Sequence, residues 1–370
     1  MFDVRNLVPE WVRTLTPYPP GKPIEELERE IGITGSIKLA SNENPLGPSP
    51  KAIAAIQAAL PNLHRYPDGS SFYLKRRLAE RHGVSSDEIL VGNGSNEIIE
   101  LVARAFLRPR DQAVMADQAF VIYRMVVQAA GGIPRQVPLR AHTHDLEAIA
   151  EAVTPHTRLV FLSNPNNPTG TIFRRPAWEA FLSAMHGRQL IVIADDAYAD
   201  YVREPDYPDT IRERGDGAVA VVTLRTFSKL YGLAGLRIGY AVAPAAVIEA
   251  IGHIRQPFNV NALAQVAALA ALEDRAHVEQ TLAVNAAGMQ FLTDGFRAAG
   301  LPFVPSAANF ILVDVGAGGR VYDALLRRGV IVRPMDAYGF PRHVRVTIGT
   351  EAENRRLLDA LAAVRQDARA

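Results

Sequence analysis

Between residues 89 and 258, short unbroken apolar runs alternate with stretches of helical period. Residues 89–91, 113–115, 159–162, 190–194, 219–224 and 238–242 read as strands bounded by turn residues. Residues 97–107 and 121–130 carry apolar side chains at helical spacing, and 49–60 reads as a shorter amphipathic helix. Continuous apolar strands interleaved with helices predict a mostly parallel sheet covered on both faces. From about residue 259 the pattern changes. Residues 261–274 and 277–299 are strongly helical, followed by strands at 309–313, 330–333 and 344–348 and a helix at 321–328. Thr350-Glu351-Ala352-Glu353 is a capping box that opens a last helix. Before residue 45, residues 15–22 hold three prolines and a glycine, which predicts an extended arm. The expected fold is α/β. An arm and the start of a small domain occupy 1–44, a large sheet domain 45–258, and a smaller α+β domain 259–370.

Composition narrows the chemistry. A net charge of +1 gives no electrostatic reason to propose nucleic acid or an anionic membrane as partner. The absence of cysteine excludes disulfides, thiolate nucleophiles and Cys-based zinc sites. The histidines show no metal-ligand spacing, and His142 and His144 fall in a polar segment read as a loop, so no metal is expected. Asp3, Arg5, Glu10 and Arg13 interrupt the first twenty residues, which rules against a signal peptide. The most apolar stretch, 261–272, is too short to span a bilayer. A cytoplasmic location is the expectation.

Ligands of such sheets bind beyond the carboxyl ends of the strands, and the polar motifs follow the strands. Gly92-Asn93-Gly94-Ser95-Asn96-Glu97 turns from a strand into a helix whose free amides suit a phosphate. Asn164-Pro165-Asn166-Asn167-Pro168-Thr169-Gly170 is pinned by its prolines and holds Asn167 at a strand end. Asp195-Asp196-Ala197-Tyr198 puts a carboxylate where burial is costly unless a cation is paired with it, such as a protonated ring nitrogen. From residue 76 to the end, Lys229 is the only lysine; arginine supplies every other cation there. Lysine, unlike arginine, can lose a proton and form an imine with an aldehyde. Arg237, eight positions on, suggests a phosphate clamp.

In order and spacing, Asn167-Pro168-Thr169-Gly170, Asp195-x-Ala197-Tyr198 and Ser228-Lys229-x-x-x-Leu233-x-Gly235-x-Arg237 resemble the class I/II aminotransferases, pyridoxal-phosphate enzymes of fold type I. The resemblance covers nearly the whole chain. It is strongest toward the histidinol-phosphate branch, through Leu15-Thr16-Pro17-Tyr18, Ser41-Asn42-Glu43-Asn44-Pro45, Arg65-Tyr66-Pro67-Asp68-Gly69, Arg255-Gln256-Pro257-Phe258-Asn259 and the run from Val344 to Thr350. It implies pyridoxal 5'-phosphate as cofactor. Lys229 would form the imine and then shuttle a proton as general acid/base. Asp195 would pair with the pyridinium nitrogen, Tyr198 and Asn167 would bond the ring oxygen, and Phe120 would stack on the ring. Gly94, Ser95, Asn96, Thr226, Ser228 and Arg237 would hold the phosphate. Tyr66 would reach the phosphate of a neighbouring subunit, which implies a homodimer with shared sites.

The implied substrates are L-histidinol phosphate and glutamate/2-oxoglutarate, exchanged by a ping-pong scheme. Tyr18, Asn167, Arg333 and Arg345 would bind them. Asn96 and Phe120 depart from the acidic residue and the tyrosine often found at those positions. An aromatic amino-acid aminotransferase is the alternative, because the same arginines could accept phenylalanine or tyrosine. Two weaker readings are a lyase that decarboxylates a phosphorylated amino acid and a cofactor-sensing regulator, the latter with no segment left over for a DNA-binding domain.

Overall fold

The structure, a computed structural model, describes residues 2–213 and 219–367. Seven strands form the larger sheet: β1 (Ile89–Gly92), β2 (Gln112–Ala116), β3 (Ile133–Val137), β4 (Thr157–Ser163), β5 (Ile191–Asp195), β6 (Ala220–Thr226) and β7 (Gly239–Val242). Their order is β1-β7-β6-β5-β4-β2-β3. Only β7 runs against the rest.

Period-2 alternation explains why the central strands read as unbroken apolar runs. In β4, Leu159 and Phe161 enter the core under the helix Ser95–Phe106, while Val160 and Leu162 enter the opposite core with Trp178 and Phe181. All of these but Phe181 have no exposed surface, and each such burial contributes about 1.5–3 kcal/mol. Sequence reading missed β3. It is an edge strand containing Pro134 and Arg135, largely exposed, so it shows no apolar run.

A second, four-stranded antiparallel sheet contains β8 (Phe303–Val304), β9 (Phe310–Asp314), β10 (Arg333–Pro334) and β11 (His343–Thr347), in the order β10-β11-β9-β8. The strand expected over 330–333 is split. Val330–Ile331 pairs in parallel with Ile37–Lys38, and the chain then crosses to pair Arg333–Pro334 with β11. The segment before residue 45 is thus tied to the smaller sheet: Thr347 N–H also donates to the Leu39 carbonyl. Residues 15–23 have no regular structure, as their prolines require. The helix Ala262–Leu272 buries Ala264, Ala267, Ala268 and Ala271 with Leu74, Leu78 and Phe227, in a core belonging to the seven-stranded sheet. The capping box at Thr350 forms, with the Glu353 carboxylate accepting from Thr350 N–H at 2.8 Å, and starts the helix Glu351–Asp367. Among the described residues no helix is long and apolar enough to cross a membrane.

Candidate active site

A cavity of about 410 Å³ lies beyond the carboxyl ends of β4, β5 and β6, against β10 and β11. Register brings the site together. Ser163 pairs with Asp195, and Asp195 with Leu224, so β4 and β5 end level and β6 runs two residues further, to Thr226. Of the residues singled out in the sequence, Tyr18, Ser95, Asn96, Phe120, Asn167, Asp195, Tyr198, Thr226, Ser228, Lys229, Arg237, Arg333 and Arg345 line this one cavity. Gly94 lies behind its wall. A Cβ there would sit 2.7 Å from Arg237 Nη2, and its φ of +78° also favours glycine. Tyr66 is elsewhere, 83% exposed and stacked on Phe258 with ring centroids 4.8 Å apart.

Lys229 Nζ donates to the Ser41 carbonyl at 2.9 Å and stands 5.6 Å from the centre of the Tyr198 ring. No carboxylate pairs with it among the described residues. Burial, and next the Arg345 cation, lower its pKa to about 8, which favours the free amine. Asp195 is buried; its Oδ2 accepts from the Tyr123 hydroxyl at 2.5 Å and its Oδ1 from Ala197 N–H at 3.2 Å. Burial raises its pKa, opposed by the Tyr123 hydrogen bond. It has no cationic partner among the described residues. Asp196 faces the other way, toward Arg225 at 3.3 Å and the Thr210 hydroxyl at 2.7 Å, so only one of the adjacent carboxylates belongs to the cavity.

The opposite wall is cationic. Arg345 donates to Asn167 Oδ1 at 2.5 Å and to the Ala40 carbonyl at 2.7 Å, and its buried Nε has no partner among the described residues. Arg333 donates to the Pro19 carbonyl at 2.7 Å and lies 5.3 Å over the Tyr18 ring. The two arginines occupy directly opposed positions on β10 and β11, both are buried, and neither pairs with a carboxylate among the described residues. Like charges directly opposed across a ladder destabilise it, so this arrangement suits an anion held between them. A second anion cradle lies at the start of the helix Ser95–Phe106. Its N-cap, Gly94, offers no side-chain acceptor to the first amides, and Thr226, Ser228 and Arg237 stand beside it.

The three asparagines of the 164–170 turn have separate roles. Asn164 is a brace, exchanging bonds with Phe173 N–H at 3.0 Å and Phe173 O at 3.2 Å. Asn166 is fully buried among Ser163, Thr169 and Gln118. Asn167 alone reaches the cavity. Reading also missed Tyr123, Ser41, Asn42, Glu43 and Tyr338, which line it too. Tyr123 sat within a helical apolar stripe, and nothing in a single sequence separates a core tyrosine from a carboxylate's partner. Asn42 had a signal, since it falls in the polar Ser41-Asn42-Glu43-Asn44 run, but no role was drawn from it.

Residues 34–361 match the profile of the family described as "Aminotransferase class I and II". The chain is 49% identical to histidinol-phosphate aminotransferase 1 of Nitrosococcus oceani, over 97% of this chain and 96% of that one. It is 48% identical to the histidinol-phosphate aminotransferase of Moorella thermoacetica, over 95% and 91%. Among solved structures, histidinol-phosphate aminotransferase of Sinorhizobium meliloti in complex with pyridoxal-5'-phosphate superposes with a TM-score of 0.88, at 28% identity and 97% coverage of both chains.

Proposed function

The chain belongs to the aminotransferase class I and II family, and from that premise we propose that it moves an amino group between L-histidinol phosphate and 2-oxoglutarate, with pyridoxal 5'-phosphate as cofactor. The residues present fit that cofactor. Asp195 is a buried carboxylate, Lys229 a half-buried amine, neither with an oppositely charged partner among the described residues, and the uncapped helix start with Arg237 is an oxyanion cradle. Lys229, Asp195 and Tyr198 would carry the chemistry. Gly94, Ser95, Asn96, Thr226, Ser228 and Arg237 would hold the phosphate, and Phe120 and Asn167 the ring. When bound, the cofactor supplies an aldehyde for amine attachment and a pyridinium ring that accepts the electron pair released at the substrate's Cα.

The chain's own groups do the rest. Lys229, whose pKa burial lowers to about 8, would take the Cα proton as the free amine and deliver it to the cofactor carbon two bonds away. Asp195, bonded by Tyr123, stays anionic beside a ring cation. Arg345 grips a carboxylate, Arg333 adds the charge needed for a phosphate ester, and Tyr18 adds a hydroxyl donor. The donor's product leaves before the acceptor enters, in a ping-pong scheme. Tyr66, exposed like Leu63, Phe72 and Tyr73 in the same stretch of sequence, fits a homodimer in which it reaches the neighbouring subunit's site. Two lobes, one around each sheet, would enclose the cavity. The observation that carries this reading is the pair of opposed, buried, carboxylate-free arginines in one cavity with Lys229.

The test is a half-reaction. Protein loaded with pyridoxal phosphate and freed of excess is mixed with histidinol phosphate or phenylalanine, without a keto acid, and the cofactor's visible band is followed. Fast bleaching with histidinol phosphate and slow bleaching with phenylalanine is the expected result. The reverse order would move the enzyme to aromatic amino acids.

A further inference from the structure

Three consecutive residues of the segment before residue 45 each hold a different functional group of the cavity. The Ala40 carbonyl accepts from Arg345, the Ser41 carbonyl from Lys229, and the Asn42 amide donates to the Tyr198 hydroxyl at 2.9 Å. Asn42 is itself fixed from the smaller sheet. Its N–H donates to Thr347 Oγ1 at 2.9 Å, Thr347 Oγ1 donates to Asn42 Oδ1 at 3.1 Å, and Asn309 donates to the Asn42 carbonyl at 3.0 Å. Asn42 has a φ of 55°, a left-handed conformation that asparagine tolerates better than most residues, and Asn42, Thr347, Asn309 and Tyr198 are all buried.

The directions of these bonds follow from the donors available. Thr347 Oγ1 spends a lone pair on the backbone N–H, so its one proton goes to Asn42 Oδ1. That fixes Oδ1 as the acceptor end of the amide and turns Nδ2, a pure donor, toward Tyr198. The Tyr198 hydroxyl proton cannot also point at Nδ2. It is directed away, and the space beside it is the cavity that Tyr198 lines. Thr347 lies two residues beyond Arg345 on β11, so both face the same side of the strand.

We propose that Asn42 is a positioning residue that orients the Tyr198 hydroxyl as a donor into the cavity, under control of Thr347 on the strand that carries Arg345. This rests on the reading above, in which Tyr198 donates to the cofactor's ring oxygen. The strand that grips the substrate's anion thereby also sets the direction of the phenol's proton. The charged groups facing that phenol are Lys229, Arg345 and Asp195.

Two variants test this in the holoenzyme. Asn42→Gly suits the positive φ and removes the amide; Thr347→Val keeps the shape and removes the hydroxyl, and it serves alone if the first fails to fold. The readouts are the dissociation constant of pyridoxal phosphate and the pH midpoint of the bound cofactor's visible absorbance. Each variant should raise the midpoint by roughly half to one unit, the size of one hydrogen bond, because a phenol free to turn away stabilises the ring oxyanion less. In a Tyr198→Phe background neither change should move the midpoint further. Equal shifts in both backgrounds, or none in either, would overturn the proposal while leaving the cofactor assignment intact. A wild-type protein that binds no pyridoxal phosphate would overturn both.

Discussion

The wall built from the ends of β4, β5 and β6 carries an amide, a carboxylate, a phenol and an amine, each with a defined hydrogen-bond partner. The wall built from β10 and β11 carries two opposed guanidinium groups and, among the described residues, no carboxylate to balance them. The first wall is chemically varied, and most of its partners come from outside it: Asn167 is held by Arg345, and the phenol and amine by Asn42 and Ser41. The second is a store of uncompensated charge, kept at a cost to the ladder of up to about 1 kcal/mol. A reactive wall must hold its groups in the right protonation state; a gripping wall must leave its charges free for the ligand.

Lys229→Ala should break the first wall most severely. Removing the group that moves the proton should slow the half-reaction by at least about 10⁴-fold. Single-turnover bleaching checks this, and near wild-type turnover would sink the mechanism. Arg345→Gln should cost both half-reactions about 100-fold in kcat/KM, because an anion loses a charge-assisted bond worth about 1.5–3 kcal/mol. Arg333→Met should separate the substrates. It should lower kcat/KM at least about tenfold for histidinol phosphate and much less for glutamate, while raising the ligand-free melting temperature by about one degree as the opposed charges are relieved. If Arg333→Met impairs both substrates equally, the arginine is not reading the phosphate ester. On the reactive wall, Tyr123→Phe removes a donor to Asp195, so the carboxyl holds its proton more tightly. Pyridoxal phosphate affinity should fall about tenfold, measured by fluorescence titration.

The two walls also differed in how well the sequence exposed them. The reactive wall was legible because its residues follow strands whose unbroken apolar runs mark the sheet, and strand ends of a parallel sheet are where ligands sit. Lys229 stood out because arginine supplies every other cation after residue 75. The gripping wall was named only through resemblance. Arg333 and Arg345 look like ordinary strand arginines until the antiparallel register sets them face to face. The partners of the reactive groups were least legible. Tyr123 is 72 positions from Asp195, and Thr347 is 305 from Asn42. Such pairings are products of topology and carry no local pattern. Edge strand β3 escaped for a different reason, since an exposed strand has no apolar run to read.

The smallest effect joins the two walls. Lys229 sits near pH 8 because burial disfavours its charged form and Arg345, from the other wall, repels it. The direction follows: below the midpoint the ammonium predominates and the group is unreactive, and above it the free amine appears. Modification of the cofactor-free protein by a small neutral acylating reagent, followed at each lysine by mass spectrometry, should therefore rise through about pH 8 at Lys229. Lys22, which its hydrogen bond to Glu30 holds above the ordinary lysine value of ~10.4, should react only at higher pH. In Arg345→Gln the Lys229 midpoint should move up, since a like charge that disfavoured the ammonium is gone. Burial is the larger cause, so the midpoint should remain below the ordinary range even then. A return to the ordinary range in that variant would mean that the gripping wall, and not the desolvated floor of the cavity, keeps the amine free. An unmoved midpoint would mean that the two walls are electrostatically independent.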